Sequence, residues 1–126
     1  MKILIIDDSL MDRRLLISVL KRNMVDNEVL QAGDGEEGLE ILGNNFQDIG
    51  LIFLDWQMPK MDGLDFMKTV KKVQQLSHIP IVMITASGSD SDKMLAYQVN
   101  PELSGYIVKP FKPEFVIQTI RPILKG

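Results

Sequence analysis

The sequence of 126 residues predicts an open α/β fold, five parallel strands each followed by a helix. Three observations carry that reading. Four short, nearly continuous apolar runs, rich in β-branched residues, have the character of strands covered on both faces. Segments with apolar residues at helical spacing lie between them. The gaps between successive runs are long enough for helical crossovers, which parallel neighbours require.

Taken in order, the first strand is Ile3–Ile6 and the first helix carries the stripe Met11, Leu15, Leu16, Val19 and Leu20. Glu28–Ala32 is weaker and alternating, which suits an edge strand, and Leu39 and Leu42 mark a shorter helix after Gly35. Ile49–Leu54 is the third strand, followed by a helix that Asp62 caps and that packs through Leu64, Met67, Val70 and Val73. Ile81–Ile84 is the fourth. Ser89 or Ser91 caps the next helix, Asp90 and Asp92 place anions in its first turn, and Met94, Leu95 and Val99 form its stripe. Tyr106–Val108 is the fifth strand. Pro113 suits the first position of the last helix, which carries Phe115, Val116 and Ile120. Pro122 has no N–H for the Gln118 carbonyl, so that helix is expected to kink or end there. Met11, Met67, Met83 and Met94 read as core filler, and Lys60, Lys71 and Lys72 as solvated charge.

Composition narrows the function. The length fits a single domain, residues 1–126, with one useful core. No cysteine is present, which excludes a disulfide scaffold, a thiolate zinc site and a cysteine nucleophile. With 14 basic and 17 acidic side chains the net charge is −3, a poor basis for neutralising phosphates, so direct nucleic-acid binding by this chain is not expected. No apolar run approaches the roughly 20 residues of a membrane helix, and the N-terminus lacks the pattern of a signal peptide. The expected setting is cytoplasmic, away from the membrane.

Ligands of such sheets bind outside the carboxyl ends of the strands. After the first strand stand Asp7, Asp8 and Ser9; the third ends in Asp55, followed by Trp56 and Gln57; the fourth ends in Thr85, Ala86 and Ser87; the fifth in Lys109 and Pro110. Three carboxylates, a hydroxyl and an ammonium therefore converge on one edge. Crowded anions need neutralising, and a hard divalent cation with oxygen ligands does this; Mg²⁺ is the usual choice where phosphate is handled. Asp8, Asp55 and a backbone carbonyl near Gln57 supply candidate metal ligands, with Asp7 acting through a water. Lys109 and the metal would face a phosphoryl group together and stabilise an in-line transfer by position and charge. Asp55 is itself a candidate nucleophile, since carboxylates form acyl phosphates. His78 lies on the opposite edge and has no assigned role, and Trp56 is expected to face outward beside the site.

The motifs DDS after the first strand, LDWQMPKMDG around Asp55, TAS after the fourth and GYIVKPF in and after the fifth resemble the receiver domain of two-component response regulators. Within that family the chain is similar to the chemotaxis-type stand-alone receivers, over its whole length. The resemblance implies a flavodoxin-like, doubly wound (βα)5 fold with strand order 2-1-3-4-5, an order for which flavodoxin and the chemotaxis receivers are type examples. It implies that Asp55 accepts a phosphoryl group from a phosphohistidine of a sensor histidine kinase or histidine phosphotransfer protein, and that Asp7 and Asp8 organise Mg²⁺. It further implies that Lys109 contacts the phosphoryl oxygens with a cis bond to Pro110, that Thr85 swings toward the phosphoryl group, and that Tyr106 then turns inward. That change presents a new face to a downstream protein target the sequence does not name. The connection from Val99 to Gly105 departs from the family pattern by about two extra residues, with Pro101 pressing Asn100 toward extended geometry.

Two other functions share parts of this pattern. A metal-dependent aspartyl-phosphate-type phosphatase needs a second acid two residues after its nucleophile, and position 57 is Gln. A flavin carrier of the same topology needs a phosphate-binding loop after the first strand, where Asp7 and Asp8 would repel the cofactor. The expected role is thus a signalling phosphoacceptor whose chemistry is confined to its own phosphorylation and dephosphorylation. The kinase, the pathway, the lifetime of the phosphoryl group and the oligomeric state, with a homodimer among the options, stay open, as does whether the chain is a piece of a longer protein.

Overall fold

A computed structural model describes residues 1–125. Its elements alternate without exception: β1 (Lys2–Ile6), α1 (Leu10–Arg22), β2 (Val29–Ala32), α2 (Gly35–Asn45), β3 (Ile49–Leu54), α3 (Gly63–Lys71), β4 (Ile81–Thr85), α4 (Asp90–Val99), β5 (Gly105–Val108) and α5 (Pro113–Lys125). The five strands form one parallel sheet in the order β2-β1-β3-β4-β5. Among the described residues, no helix is long and apolar enough to cross a membrane.

Strand alternation builds two cores from nearly continuous apolar runs. Ile3 and Ile5, Leu51 and Phe53, Val82 and Ile84, and Ile107 face one way and pack on Leu16, Val19 and Leu20 of α1 and Val116, Ile117 and Ile120 of α5. Leu4 and Ile6, Ile52 and Leu54, Ile81 and Met83, and Tyr106 face the other way, onto Leu42 of α2, Phe66, Met67 and Val70 of α3 and Ala96 of α4. The sheet is therefore sandwiched, with α1 and α5 on one face and the other three helices opposite.

The first four helices start on side chains that accept orphan N–H groups of the first turn. Ser9 caps α1, Asp34 caps α2, Asp62 caps α3 and Ser89, rather than Ser91, caps α4. Asn100 ends α4 at φ −134°, ψ 88°, the extended geometry that Pro101 imposes.

Several expectations about the helices need correcting. Met11 is 79% exposed and Leu15 54%, so only the Leu16–Val19–Leu20 part of that stripe is core. Met94 is 64% exposed and Leu95 is exposed as well; α4 buries only Ala96. Met11 and Met94 are thus surface residues, whereas Met67 and Met83 are core. Phe115 is exposed, and Val73 lies beyond the end of α3, exposed. Every one of these stripes was drawn a residue or two too wide, because apolar spacing alone does not say where a helix's contact arc stops. Pro122 does not end α5, which continues to Lys125. Lys71 is not free charge: its ammonium donates to the Ser77 carbonyl at 3.0 Å and lies 3.4 Å from Glu102.

Candidate functional site

The site is an extension of the strand ladder. Ile6 of β1 sits opposite Leu54 of β3, so Asp7 and Asp55 leave the sheet side by side. The Asp55 N–H donates to the Ile6 carbonyl at 2.9 Å and the Asp7 N–H to Ala32 at 3.0 Å, which carries regular pairing one residue past the strand ends. Alternation sends the side chains at 7, 55 and 109 toward the α1/α5 face, following Ile5, Phe53 and Ile107. Thr85 follows Met83 to the opposite face, where Tyr106, paired with Met83 across the sheet, also lies.

Asp7, Asp8 and Asp55 each bring a carboxylate oxygen within 4.8 Å of the others; Asp7 and Asp55 are buried and Asp8 is exposed. Asp7 Oδ1 accepts the Ser9 N–H at 2.9 Å and Asp55 Oδ1 accepts the Trp56 N–H at 2.7 Å. The Lys109 ammonium, arriving from the end of β5, donates to Asp7 Oδ2 at 2.7 Å and reaches Asp55 Oδ2 at 3.4 Å. The Arg13 guanidinium donates to the Asp7 carbonyl and, at 3.0 Å, to Gln31 Oε1. The Lys109–Pro110 bond is cis.

Burial, and after it the charge of Asp7, push the Asp55 carboxyl above its usual range; Lys109 and the Trp56 N–H oppose the shift without cancelling it. For Lys109, burial disfavours the charged form, but hydrogen bonds to Asp12 and Asp7 and the charge of Asp55 outweigh it and hold the ammonium above the usual lysine range. The cluster thus carries more negative than positive charge. Its donor set is all oxygen, with neither sulfur nor imidazole, which fits a hard divalent cation such as Mg²⁺.

Gln57 is exposed and lines an open recess with Asp8, Trp56, Met58 and Asp62. Trp56 is half-buried and partly packed on the α2–α4 core, less outward than its neighbours suggested. Thr85 is buried at the end of β4, and its Oγ1 lies 3.4 Å from the Ser87 N–H. Tyr106 is only 7% exposed and its hydroxyl donates to the Ser87 carbonyl at 2.8 Å. The Ser87 hydroxyl in turn donates to Asp92 in the first turn of α4. The ring is therefore already inward, tied to the loop that connects Thr85 to α4.

A side chain in contact with Lys109 is absent from the residues that the sequence singles out. Asp12, in the first turn of α1, accepts from Lys109 at 2.8 Å, closer than Asp55 does. The signal was available: α1 begins at Leu10, directly after the acidic pair, so its first turn borders the mouth of the site.

The sequence profile of the response regulator receiver domain matches residues 3–121. Chemotaxis protein CheY1 of Helicobacter pylori is 36% identical over 124 residues, covering 98% of this chain and 97% of that protein. A chemotaxis protein CheY homolog of Campylobacter jejuni is 33% identical over 124 residues, covering 98% and 92%. Among solved structures, chemotaxis protein CheY4 of Vibrio cholerae superposes with a TM-score of 0.84 at 32% identity, over 97% of each chain. Response regulator Rcp1, solved in its Mn(2+)-bound form, gives 0.77 at 28% identity, over 97% of this chain and 90% of that one.

Proposed function

Because the chain belongs to the response regulator receiver family, close in sequence and structure to chemotaxis receivers, we propose that Asp55 accepts a phosphoryl group from a phosphohistidine on a sensor histidine kinase or phosphotransfer protein. The observation that carries this reading is the meeting of Asp7, Asp8 and Asp55 within 4.8 Å, with the Lys109 ammonium set against two of them.

An oxygen of the Asp55 carboxylate attacks phosphorus in line; the new P–O bond forms as the P–N bond breaks, and the imidazole leaves with the bonding pair. The ionised Asp55 carboxylate needs no general base, because it has no proton to lose. Its Oδ1 is held by the Trp56 N–H at 2.7 Å, which fixes the carboxylate plane and supports positioning over raw reactivity. Asp7, Asp8, Asp55 and the Gln57 carbonyl would hold Mg²⁺, which supplies charge neutralisation for the phosphoryl oxygens; the all-oxygen donor set supports this, and the structurally similar Rcp1 has been solved in a Mn(2+)-bound form. Lys109 provides a fixed cation on the other side.

A phosphoryl dianion at Asp55 offers the Thr85 hydroxyl a charge-assisted hydrogen bond. Thr85 ends β4 and the Ser87 carbonyl that holds Tyr106 lies two residues on, in the loop that follows, so this pull would be transmitted to Tyr106 and, through Ser87 and Asp92, to the start of α4. We propose that a downstream protein reads this change, with Thr85 and Tyr106 as the switch. The chain is on this reading a signalling protein rather than a turnover enzyme, and Gln57, which cannot protonate a leaving group, argues against the phosphatase alternative.

Incubation with Mg²⁺ and a small phosphodonor such as acetyl phosphate is expected to add the mass of a single phosphoryl group to the intact protein. Asp55→Asn should abolish the addition. Undiminished labelling of that variant would remove Asp55 from the mechanism.

A further inference from the structure

An ammonium has three N–H donors, and Lys109 has a carboxylate for each: Asp7 at 2.7 Å, Asp12 at 2.8 Å and Asp55 at 3.4 Å. The phosphoacceptor holds the longest of the three. Both short contacts compete for the cation that the phosphoryl oxygens will need. Their surroundings differ sharply. The Asp7 side chain is 4% exposed and that of Asp55 9%, whereas that of Asp12 is 41% exposed.

Releasing Asp7 from Lys109 would strand a charge in a nearly closed environment, at high cost. Releasing Asp12 returns a carboxylate to water, at little cost. From this asymmetry we infer that Asp12 is a positioning residue: it occupies one donor of Lys109 in the unphosphorylated protein and is the contact that a phosphoryl group on Asp55 displaces. Asp12 thereby sets how firmly Lys109 holds the phosphorylated state. The inference rests on the proposed role of Asp55 and adds a residue outside the acidic pair and the acceptor.

Two effects act in the same direction on an anionic occupant. Asp12 ties up a donor, and its own charge repels a further anion across the same cation. For a cation alone the sign reverses, since Asp12 adds negative potential near Asp7 and Asp8. Neutralising Asp12 should therefore strengthen anion capture and weaken capture of the bare metal. A merely structural role at the α1 N-terminus, where an acid in the first turn favours the helix dipole, would weaken both together or alter neither.

The test uses the full chain and its single tryptophan, Trp56, which adjoins the acceptor. Fluorescence titrations measure Mg²⁺ alone, then beryllium trifluoride, a tetrahedral phosphoryl mimic, at saturating Mg²⁺. Asp12→Asn is expected to tighten the mimic by about fivefold, the scale of one partly screened unit charge a few ångströms away, while Mg²⁺ alone binds more weakly. Asp12→Glu keeps the charge and should stay near wild type. Unchanged or weakened binding of the mimic by Asp12→Asn, with the wild type binding normally, overturns the role of Asp12 and leaves Asp55 in place. Failure of the wild type itself to bind the mimic overturns the reading of Asp55, and the role of Asp12 with it.

Discussion

At the residue scale the site is built against its own stability. Asp55 keeps its proton more firmly in the folded chain than in the unfolded one, first because it is buried and second because Asp7 is beside it. Between its ordinary value of 3.8 and the raised folded value, the native state binds more protons than the unfolded state. The contribution of Asp55 to the stability of the metal-free protein then falls as pH rises through that window, and its full penalty persists above it. Lys109 does not offset this change, because its ammonium stays charged throughout the neutral range. Asp55→Asn removes the titrating charge while keeping the shape. In chelator at neutral pH the variant is expected to melt at a higher temperature than wild type. The advantage should shrink as pH approaches 4. Thermal melts across pH check both; a variant that is less stable than wild type at neutral pH would mean that Asp55 is not electrostatically strained.

At the scale of elements, the turn from β3 into α3 holds Asp55 in place. The Gly63 N–H donates to the Trp56 carbonyl at 2.8 Å, which folds the first residue of α3 back onto the residue after Asp55. A Cβ on Gly63 would come within 2.5 Å of the Asp55 carbonyl oxygen and 2.9 Å of the Trp56 Cα. Those are main-chain atoms, and they cannot swing aside as a flexible side chain would. Gly63→Ala is therefore expected to lose about 2–3 kcal/mol in denaturant unfolding and to slow phosphodonor labelling, because relief requires Asp55 to move. Gly43, inside α2, has nothing within 4 Å of the same position, so Gly43→Ala should gain about 0.5–1 kcal/mol from helix propensity alone. Equal effects at the two glycines would remove the packing argument. The sequence showed Gly63 only as part of a motif; its close approach to Asp55 is a tertiary fact. Helix contact arcs were hidden for the same reason. Met11 and Met94 have the spacing of core residues and lie in water, because the width of a buried stripe depends on how the helix crosses the sheet.

At the scale of the whole molecule, what was legible followed from chain periodicity. Five alternations of strand and helix fixed which residues stand at the carboxyl edge, and that edge gathers Asp7, Asp8, Asp55 and Lys109 as the motifs implied. Side-chain parity was equally readable and was not used. It places Asp7, Asp55 and Lys109 toward α1 and α5, and Thr85 and Tyr106 toward the face that α2, α3 and α4 cover. Asp12 was missed because it belongs to a helix rather than to a strand end. On the proposed reading the same arrangement would tie the global stability to a bound cation. A cation that binds only the folded chain stabilises it by mass action, about 2.7 kcal/mol at a hundredfold excess over Kd. Its ligands must be deprotonated, so this stabilisation grows with pH over the same range in which the contribution of Asp55 to the metal-free protein falls. Melts in saturating Mg²⁺ and in chelator should thus diverge progressively from pH 4 to neutral. Asp8→Asn should narrow the gap by removing a ligand while leaving Asp55 buried. Parallel curves at every pH would show that the carboxylates do not share a cation, and the phosphoryl chemistry would lose its electrostatic basis.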